Sequence, residues 1–343
     1  MSPVGIDLRS DTVTKPTPEM RRAMAQAEVG DDVLDGDPTT RRLEQRTAEL
    51  LGMDDALFFP SGSQANQTGI ALCTRPGTEL VVEANAHLVT FEVAGVAALS
   101  GVQIRPVTTP DGRLTAPLVR EALRPVSPHL PRQSAIAVEN SHNASGGRVL
   151  PPAEMAAIVA VGRAAGLELH LDGARLWNAA TALQVPPARL VLGVTTVMVS
   201  YTKGLGCPVG SCLAFAGGRR AEAWEIRKRL GGGMRQSGVL AAAGLYALEH
   251  HLPGIAQDHE HARLLAERLA DCRAVRVETP ETNIVMIDLV RDADLADAVA
   301  RRLEAAGLLV TPYGVRRLRA VIHRDVGRPE IERAAALVAQ VLQ

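Results

Sequence analysis

Short, largely apolar runs recur along this chain, each ending in a turn and each followed by a stretch of helical character. Ala56-Leu57-Phe58-Phe59, Leu80-Val81-Val82, Ala135-Ile136-Ala137-Val138, Gly166–Leu171 and Val191–Val199 read as strands. Between them, Gln64–Cys73 and the segment from Pro151-Pro152 to Ala165 read as helices. The prolines sit in the first turn of the second helix and Gly166 stops it. Strands alternating with helices predict an α/β fold with a largely parallel sheet and helices on both faces. The pattern changes near Pro253-Gly254, where a long alanine-rich helix, Gly238–His251, ends. Beyond it come helical segments at Ile255–Ala270, Ala293–Ala306 and about 329–342. Strand-like runs lie at Asn283–Leu289, Leu308–Val310 and Leu318–Ile322. These predict a small α+β domain. The segment before Pro18 has no clear periodicity and is expected to lie as an arm over the site. The expected division is therefore residues 1–17, 18–252 and 253–343.

Two of the strand ends carry the chemistry. Val191–Val199 runs into Ser200-Tyr201-Thr202-Lys203-Gly204-Leu205-Gly206, and Gly166–Leu171 runs into Asp172-Gly173-Ala174-Arg175. A lysine among small residues at the end of a buried strand is placed to meet a ligand, and a Schiff base with an aldehyde cofactor is the chemistry it suggests. A solvated loop lysine is the plain alternative. Pyridoxal phosphate (PLP) needs such a lysine and also a carboxylate to pair with its ring nitrogen. Asp172 fits that need, or else it caps the helix from Ala174. Successive parallel strands bring Asp172 and Lys203 to one sheet edge, where α/β sheets bind ligands. Ser61-Gly62-Ser63-Gln64 offers backbone N–H groups at a helix start for a phosphate, with Thr202 as a second hydroxyl; a capped helix looks the same. Gly231-Gly232-Gly233 indicates either close backbone approach, with Lys228 and Arg235 as nearby cations, or a flexible loop.

Composition narrows the class. The chain has 343 residues, a formal net charge of −1 and 3% aromatic residues, so an aliphatic core is expected and no nucleic-acid footprint is present. No apolar run reaches membrane-spanning length and the first residues lack signal-peptide character. Cys73, Cys207, Cys212 and Cys272 show no zinc spacing, so unpaired thiols, no metal site and a cytoplasmic location are expected.

Several long motifs, in order, resemble the low-specificity L-threonine aldolases, PLP enzymes of fold type I in the aspartate aminotransferase-like superfamily. They are Asp7-Leu8-Arg9-Ser10-Asp11-Thr12-Val13-Thr14, Gly30-Asp31-Asp32-Val33, Pro60-Ser61-Gly62-Ser63-Gln64-Ala65-Asn66 and Glu139-Asn140-Ser141-His142-Asn143. His170-Leu171-Asp172-Gly173-Ala174-Arg175, Lys203-Gly204-Leu205-Gly206, Gly231-Gly232-Gly233-Met234-Arg235-Gln236-Ser237-Gly238 and Arg319-Ala320-Val321-Ile322-His323-Arg324-Asp325 complete the set. The resemblance implies a large domain with a mostly parallel seven-stranded sheet and a small C-terminal domain. It also implies retro-aldol cleavage of threonine, allo-threonine and related β-hydroxy-α-amino acids to glycine and an aldehyde. Lys203 resembles the Schiff-base lysine, Asp172 the partner of the ring nitrogen, and His87 the histidine that stacks on the ring and serves as first candidate base. His142 stands behind His87 as base and substrate contact. Gly62, Ser63 and Thr202 resemble phosphate ligands, and Arg175 is expected at the cofactor and substrate. Lys228 and Arg235 match positions that reach a neighbouring subunit's phosphate, which implies a homo-oligomer, a dimer of dimers. Arg319, with Ser10, is expected to grip the substrate carboxylate; Arg316 and Arg317 lie close by. Taken alone, His87 reads as a core or surface histidine, Arg175 as a first-turn arginine, and Arg319 as part of a basic strand.

The chain departs from the family pattern at two places. Leu34 stands where tyrosine is common, with Asp35-Gly36-Asp37-Pro38 reordered after it, and Leu88-Val89-Thr90 lacks the usual Asn-Tyr. Both segments lie near the substrate side chain in the family, so a preference for bulkier substrates such as phenylserine is one alternative. Another PLP lyase reaction, β-elimination, or transamination is a second. A non-enzymatic PLP-fold binding protein is disfavoured because both the lysine and the aspartate are kept.

Overall fold

The structure is a computed structural model that describes residues 5–343. In chain order its strands are β1 (Ile6–Asp7), β2 (Asp55–Phe59), β3 (Glu79–Glu83), β4 (Gln103–Val107), β5 (Gln133–Glu139), β6 (Glu168–Gly173), β7 (Thr196–Ser200) and β8 (Ser211–Phe215). After these come β9 (Val275–Val277), β10 (Ile284–Leu289), β11 (Leu308–Leu309), β12 (Thr311–Pro312) and β13 (Arg317–Val321). Seven of them form one sheet in the order β2-β8-β7-β6-β5-β3-β4, in which β8 alone runs opposite to the other six. The expected α/β sheet of seven mostly parallel strands is therefore present.

The strands read as nearly continuous apolar runs because both sheet faces are covered. Phe58, Val81, Ile136 and Val138 pack into one core. Their sequence neighbours turn to the other face. There Leu57 and Phe59 join a cluster with Leu213 and Phe215, and Leu80, Val82, Ala135 and Ala137 join another. Val191–Val199 is only partly strand. Gly193 takes a left-handed conformation (φ +81°) and Leu192 is exposed, so this part of the run is a turn, and β7 begins at Thr196. Leu190, Val191 and Val194 still pack in the core.

A second sheet, β12-β13-β10-β9, is wholly antiparallel and has its own core, built by Leu318 and Ile287 with Leu265, Leu303 and Ile331 from helices. Ile6 and Leu8 belong to that core, and β1 pairs in parallel with β11. Ile6 to Leu8 are therefore held to the C-terminal part. Among the described residues no helix is long and apolar enough to cross a membrane, and the four cysteines are unpaired.

Candidate active site

The carboxyl ends of β2, β3, β5, β6 and β7 share one edge, since Glu139 pairs with Asp172 and Ser200 with Ser211 opposite Phe59. Asp172 ends its strand 1% exposed. Its Oδ2 accepts from Asn66 Nδ2 at 2.9 Å and its Oδ1 from the Ala174 N–H at 3.0 Å. The helix beyond begins only at Leu176, so the aspartate is not a helix cap. Lys203 follows β7 and makes no ion pair among the described residues. Burial lowers its pKa from the usual lysine range, with the Arg175 charge adding to this, while Asp11, Asp172 and Glu139 oppose it. A lysine so placed has a larger neutral, nucleophilic fraction.

His87 starts a short helix after β3. Its backbone N–H donates to Glu139 Oε2 at 2.7 Å and its Nδ1 lies 2.9 Å from Glu92 Oε1. An ionised carboxylate only accepts, so Nδ1 carries the proton and Nε2 is left as the basic atom. Burial alone would lower this histidine's pKa, but the bond to Glu92 and the charges of Asp172, Glu92 and Glu139 raise it above the usual value. Ligand atoms of His87, Glu92 and Asp172 lie within 4.8 Å of one another, the spacing of a metal cluster. Here the Asn66 amide and the His87 Nδ1–H already donate to the two carboxylates.

His142 is held elsewhere. Its Nε2 lies 3.0 Å from Glu83 Oε2 and its Nδ1 3.0 Å from Ser145 Oγ, so both nitrogens are occupied. Burial opposes its protonation and the two glutamates, Glu83 and Glu139, override that, raising its pKa. Both ring nitrogens of His142 thus have protein partners in this structure, whereas Nε2 of His87 has none among the described residues.

Arg175 is 3% exposed and grips Asp11 in a bidentate pair, at 2.7 and 2.8 Å. Its third contact is Nη1 to Asn143 Oδ1 at 3.1 Å, and Arg319 Nη1 donates to the same oxygen at 3.0 Å. Arg319 lies over the Tyr313 ring at 5.1 Å and its buried Nε has no partner. Burial and the Arg175 charge lower its pKa, so it lies in an electropositive place. The two neighbouring arginines are spent, Arg316 on Asp292 and Arg317 on Asp288. Of the three, only Arg319 is left free to bind an anion.

Gly62 and Ser63 open the helix Gly62–Cys73, whose N-cap is Ser61, accepting from the Gln64 N–H at 3.2 Å. First-turn N–H groups of a helix have no partner within it. Beside them the buried Ser211 Oγ is unpartnered, 3.5 Å from where a Gly62 side chain would begin. Thr202 Oγ1 meets Ser200 Oγ at 3.0 Å. Ser10 caps the 3-10 turn Asp11–Val13 and accepts from Thr12. Arg235 is half-exposed on Asp31 at 3.0 Å, and Lys228 makes no ion pair among the described residues. Neither is brought to Lys203 by any bond within the chain. The glycine run approaches closely: a side chain on Gly232 would begin 2.1 Å from Gln64 Oε1.

Six residues that the sequence reading assigned no role complete the candidate site: Asp11, Asn66, Glu92, Glu139, Asn143 and Ser211. Four lie inside the motifs already quoted, where an acid or amide beside a named residue was the available signal. Glu92 and Ser211 lie outside those motifs and come into the site only through folding.

A family profile described as beta-eliminating lyase matches residues 7–292. The probable low-specificity L-threonine aldolase 2 of Arabidopsis thaliana is 40% identical over 336 residues, covering 95% of this chain and 94% of the relative. The low specificity L-threonine aldolase of Escherichia coli (strain K12) is 38% identical over 96% of this chain and 97% of its own length. Among solved structures, a threonine aldolase of Leishmania major shares the fold at a TM-score of 0.83 and 20% identity, covering 98% of this chain and all of that one, 100%. The chain belongs to the beta-eliminating lyase family and, within it, to the low-specificity L-threonine aldolases.

Proposed function

We propose that this protein is a PLP-dependent aldehyde-lyase that cleaves L-threonine, L-allo-threonine and related β-hydroxy-α-amino acids to glycine and an aldehyde, reversibly. The observation that carries the reading is an unpaired Lys203 and a buried Asp172 at one edge of the large sheet, faced by Arg319 of the second sheet, which shares Asn143 with Arg175. The residues present fit the cofactor. Lys203 would hold its aldehyde, Asp172 its ring nitrogen and His87 a ring face. The unpaired N–H groups of Gly62 and Ser63, with Ser211 and Thr202, would hold its phosphate. Bound PLP supplies an electron sink for the bond broken at the substrate Cα.

The chain's own residues do the rest. Arg319, sharing Asn143 with Arg175, takes the substrate carboxylate, with Ser10 assisting, and so sets which Cα bond is aligned to break. His87 Nε2 takes the β-hydroxyl proton, and Glu92 holds that imidazole in the required tautomer and stabilises it once charged. Asp11 fixes Arg175, and Glu139 fixes the backbone of both His87 and Asn143.

Phe91 is half-exposed and its ring lies 5.5 Å from that of His87, which favours bulky or aromatic β-substituents as a second reading. Lys228, with no ion pair among the described residues, and Arg235, held only in a pair with Asp31, support sites shared between subunits of a dimer of dimers. The division into residues 1–17, 18–252 and 253–343 belongs to the same reading, of which residues 1–4 lie outside the described residues.

The test is release of glycine and acetaldehyde from L-threonine by PLP-loaded protein, with Lys203→Ala as control. A keto acid and ammonia in their place would mean β-elimination, and the aldolase reading would fall.

A further inference from the structure

Asn66 is 1% exposed, on the helix Gly62–Cys73. Its amide nitrogen donates to Asp172 Oδ2 at 2.9 Å and to Glu92 Oε1 at 2.8 Å. An amide has two N–H donors, and each here serves a different carboxylate. Its Oδ1 lies 3.1 Å from His170 Nε2, and His170 Nδ1 lies 2.9 Å from Thr196 Oγ1.

The direction of this chain follows from its ends. Two carboxylates only accept, so the NH2 of Asn66 must face them and its oxygen must face His170. His170 is fully buried, and burial pushes its pKa down to about 4, so the ring is neutral and has one N–H. That proton sits on Nε2, donating to Asn66, and the Thr196 hydroxyl donates to Nδ1. Gly69 makes room for the ring, because a side chain there would begin 2.5 Å from His170 Cε1. A buried histidine with both nitrogens committed costs desolvation that an apolar residue of similar volume would avoid.

We propose that Asn66, oriented by His170, is a positioning residue for both carboxylates of the site, aiming Asp172 at the cofactor ring nitrogen and Glu92 at His87 Nδ1. The inference rests on the reading of Asp172 as a PLP ligand. Without His170 the Asn66 Oδ1 is a buried acceptor with no donor, and the amide loses the bond that fixes its position between the two carboxylates.

The test uses the holoenzyme without substrate, reading the absorbance spectrum of bound PLP and its dissociation constant. His170→Leu removes the donor at similar volume, whereas His170→Gln places an amide nitrogen near the position of Nε2. His170→Leu and Asn66→Ala are expected to weaken PLP about tenfold, the size of one lost buried hydrogen bond, and to move the absorbance maximum. His170→Gln is expected to recover most of both. A His170→Leu protein that matches wild type in both readouts overturns the proposal. So does a His170→Gln protein as impaired as His170→Leu, because packing would then explain the effect. Should His170→Leu fail to fold, Asn66→Ala decides, and wild-type behaviour there overturns the proposal equally. A wild type that binds PLP but leaves threonine intact strikes the substrate reading alone, since neither readout uses substrate. A wild type that takes up no PLP removes both.

Discussion

Asp172 on the large sheet and Arg319 on the small one differ in how fully the protein satisfies them. Asp172 is buried, and each of its oxygens accepts a hydrogen bond from the protein. The residues that orient it are themselves hydrogen-bonded back to Thr196. Arg319 spends one nitrogen on Asn143 and leaves its buried Nε with none. An unsatisfied buried donor costs about 1–3 kcal/mol. A group that holds a resident cofactor can be saturated permanently, whereas a group whose partner arrives and leaves with every turnover must be left unsatisfied. In the proposed function, the cost is recovered when the substrate carboxylate binds Arg319. Arg316 and Arg317, on or beside the same strand, show the contrast again, because their exposed ion pairs leave nothing to offer a ligand.

The largest break in this contrast comes from Lys203→Ala, which removes the covalent anchor on the cofactor side. Turnover, followed as glycine and acetaldehyde release, is expected to fall by about a thousandfold or more. His87→Asn should spare cofactor affinity yet lower kcat by about a hundredfold or more, and an unchanged kcat would remove His87 as the base. On the substrate side, Arg319→Leu should lower kcat/KM by roughly 10- to 100-fold, mostly through KM. Arg317→Leu should lie within about fivefold of wild type, as expected for an exposed pair. Equal losses in the two variants would erase the distinction between free and spent arginines.

A subtler measurement separates the two sides by pH. His87 must be neutral to accept a proton, and its pKa is raised by Glu92, Asp172 and Glu139 against the effect of burial. The acid limb of kcat/KM should therefore fall above the ordinary histidine pKa. Glu92→Gln removes one charge that favours imidazolium, so the limb should move to lower pH. A limb that stays in place would mean that another group titrates. The smallest effect is expected for Arg235→Ala, a modest rise in the PLP dissociation constant that grows as the oligomer is diluted.

Much of the site was legible because its residues sit where strands stop. Asp172, Lys203 and the Ser61-Gly62-Ser63 turn each follow an apolar run, and a parallel sheet brings such ends to one edge. The same logic misplaced the start of the strand before Lys203, since a left-handed Gly193 bends an apolar stretch without making it less apolar. It also left β8 unread, although that strand lies antiparallel between β2 and β7. His142 lies in a motif beside Asn143, yet only the structure shows both of its nitrogens committed to Glu83 and Ser145.

The sequence by itself determined the α/β class, the family and the placing of Lys203 and Asp172 after apolar strands, because burial on two sheet faces and turn chemistry are local properties of the chain. Which of three neighbouring arginines is free, how Glu92 sets the tautomer of His87, and how His170 reaches Asp172 through Asn66 were decided only by the tertiary structure. These depend on hydrogen-bond partners from segments far apart in the chain, and a donor's partner is a fact of three-dimensional distance that no spacing along the sequence encodes.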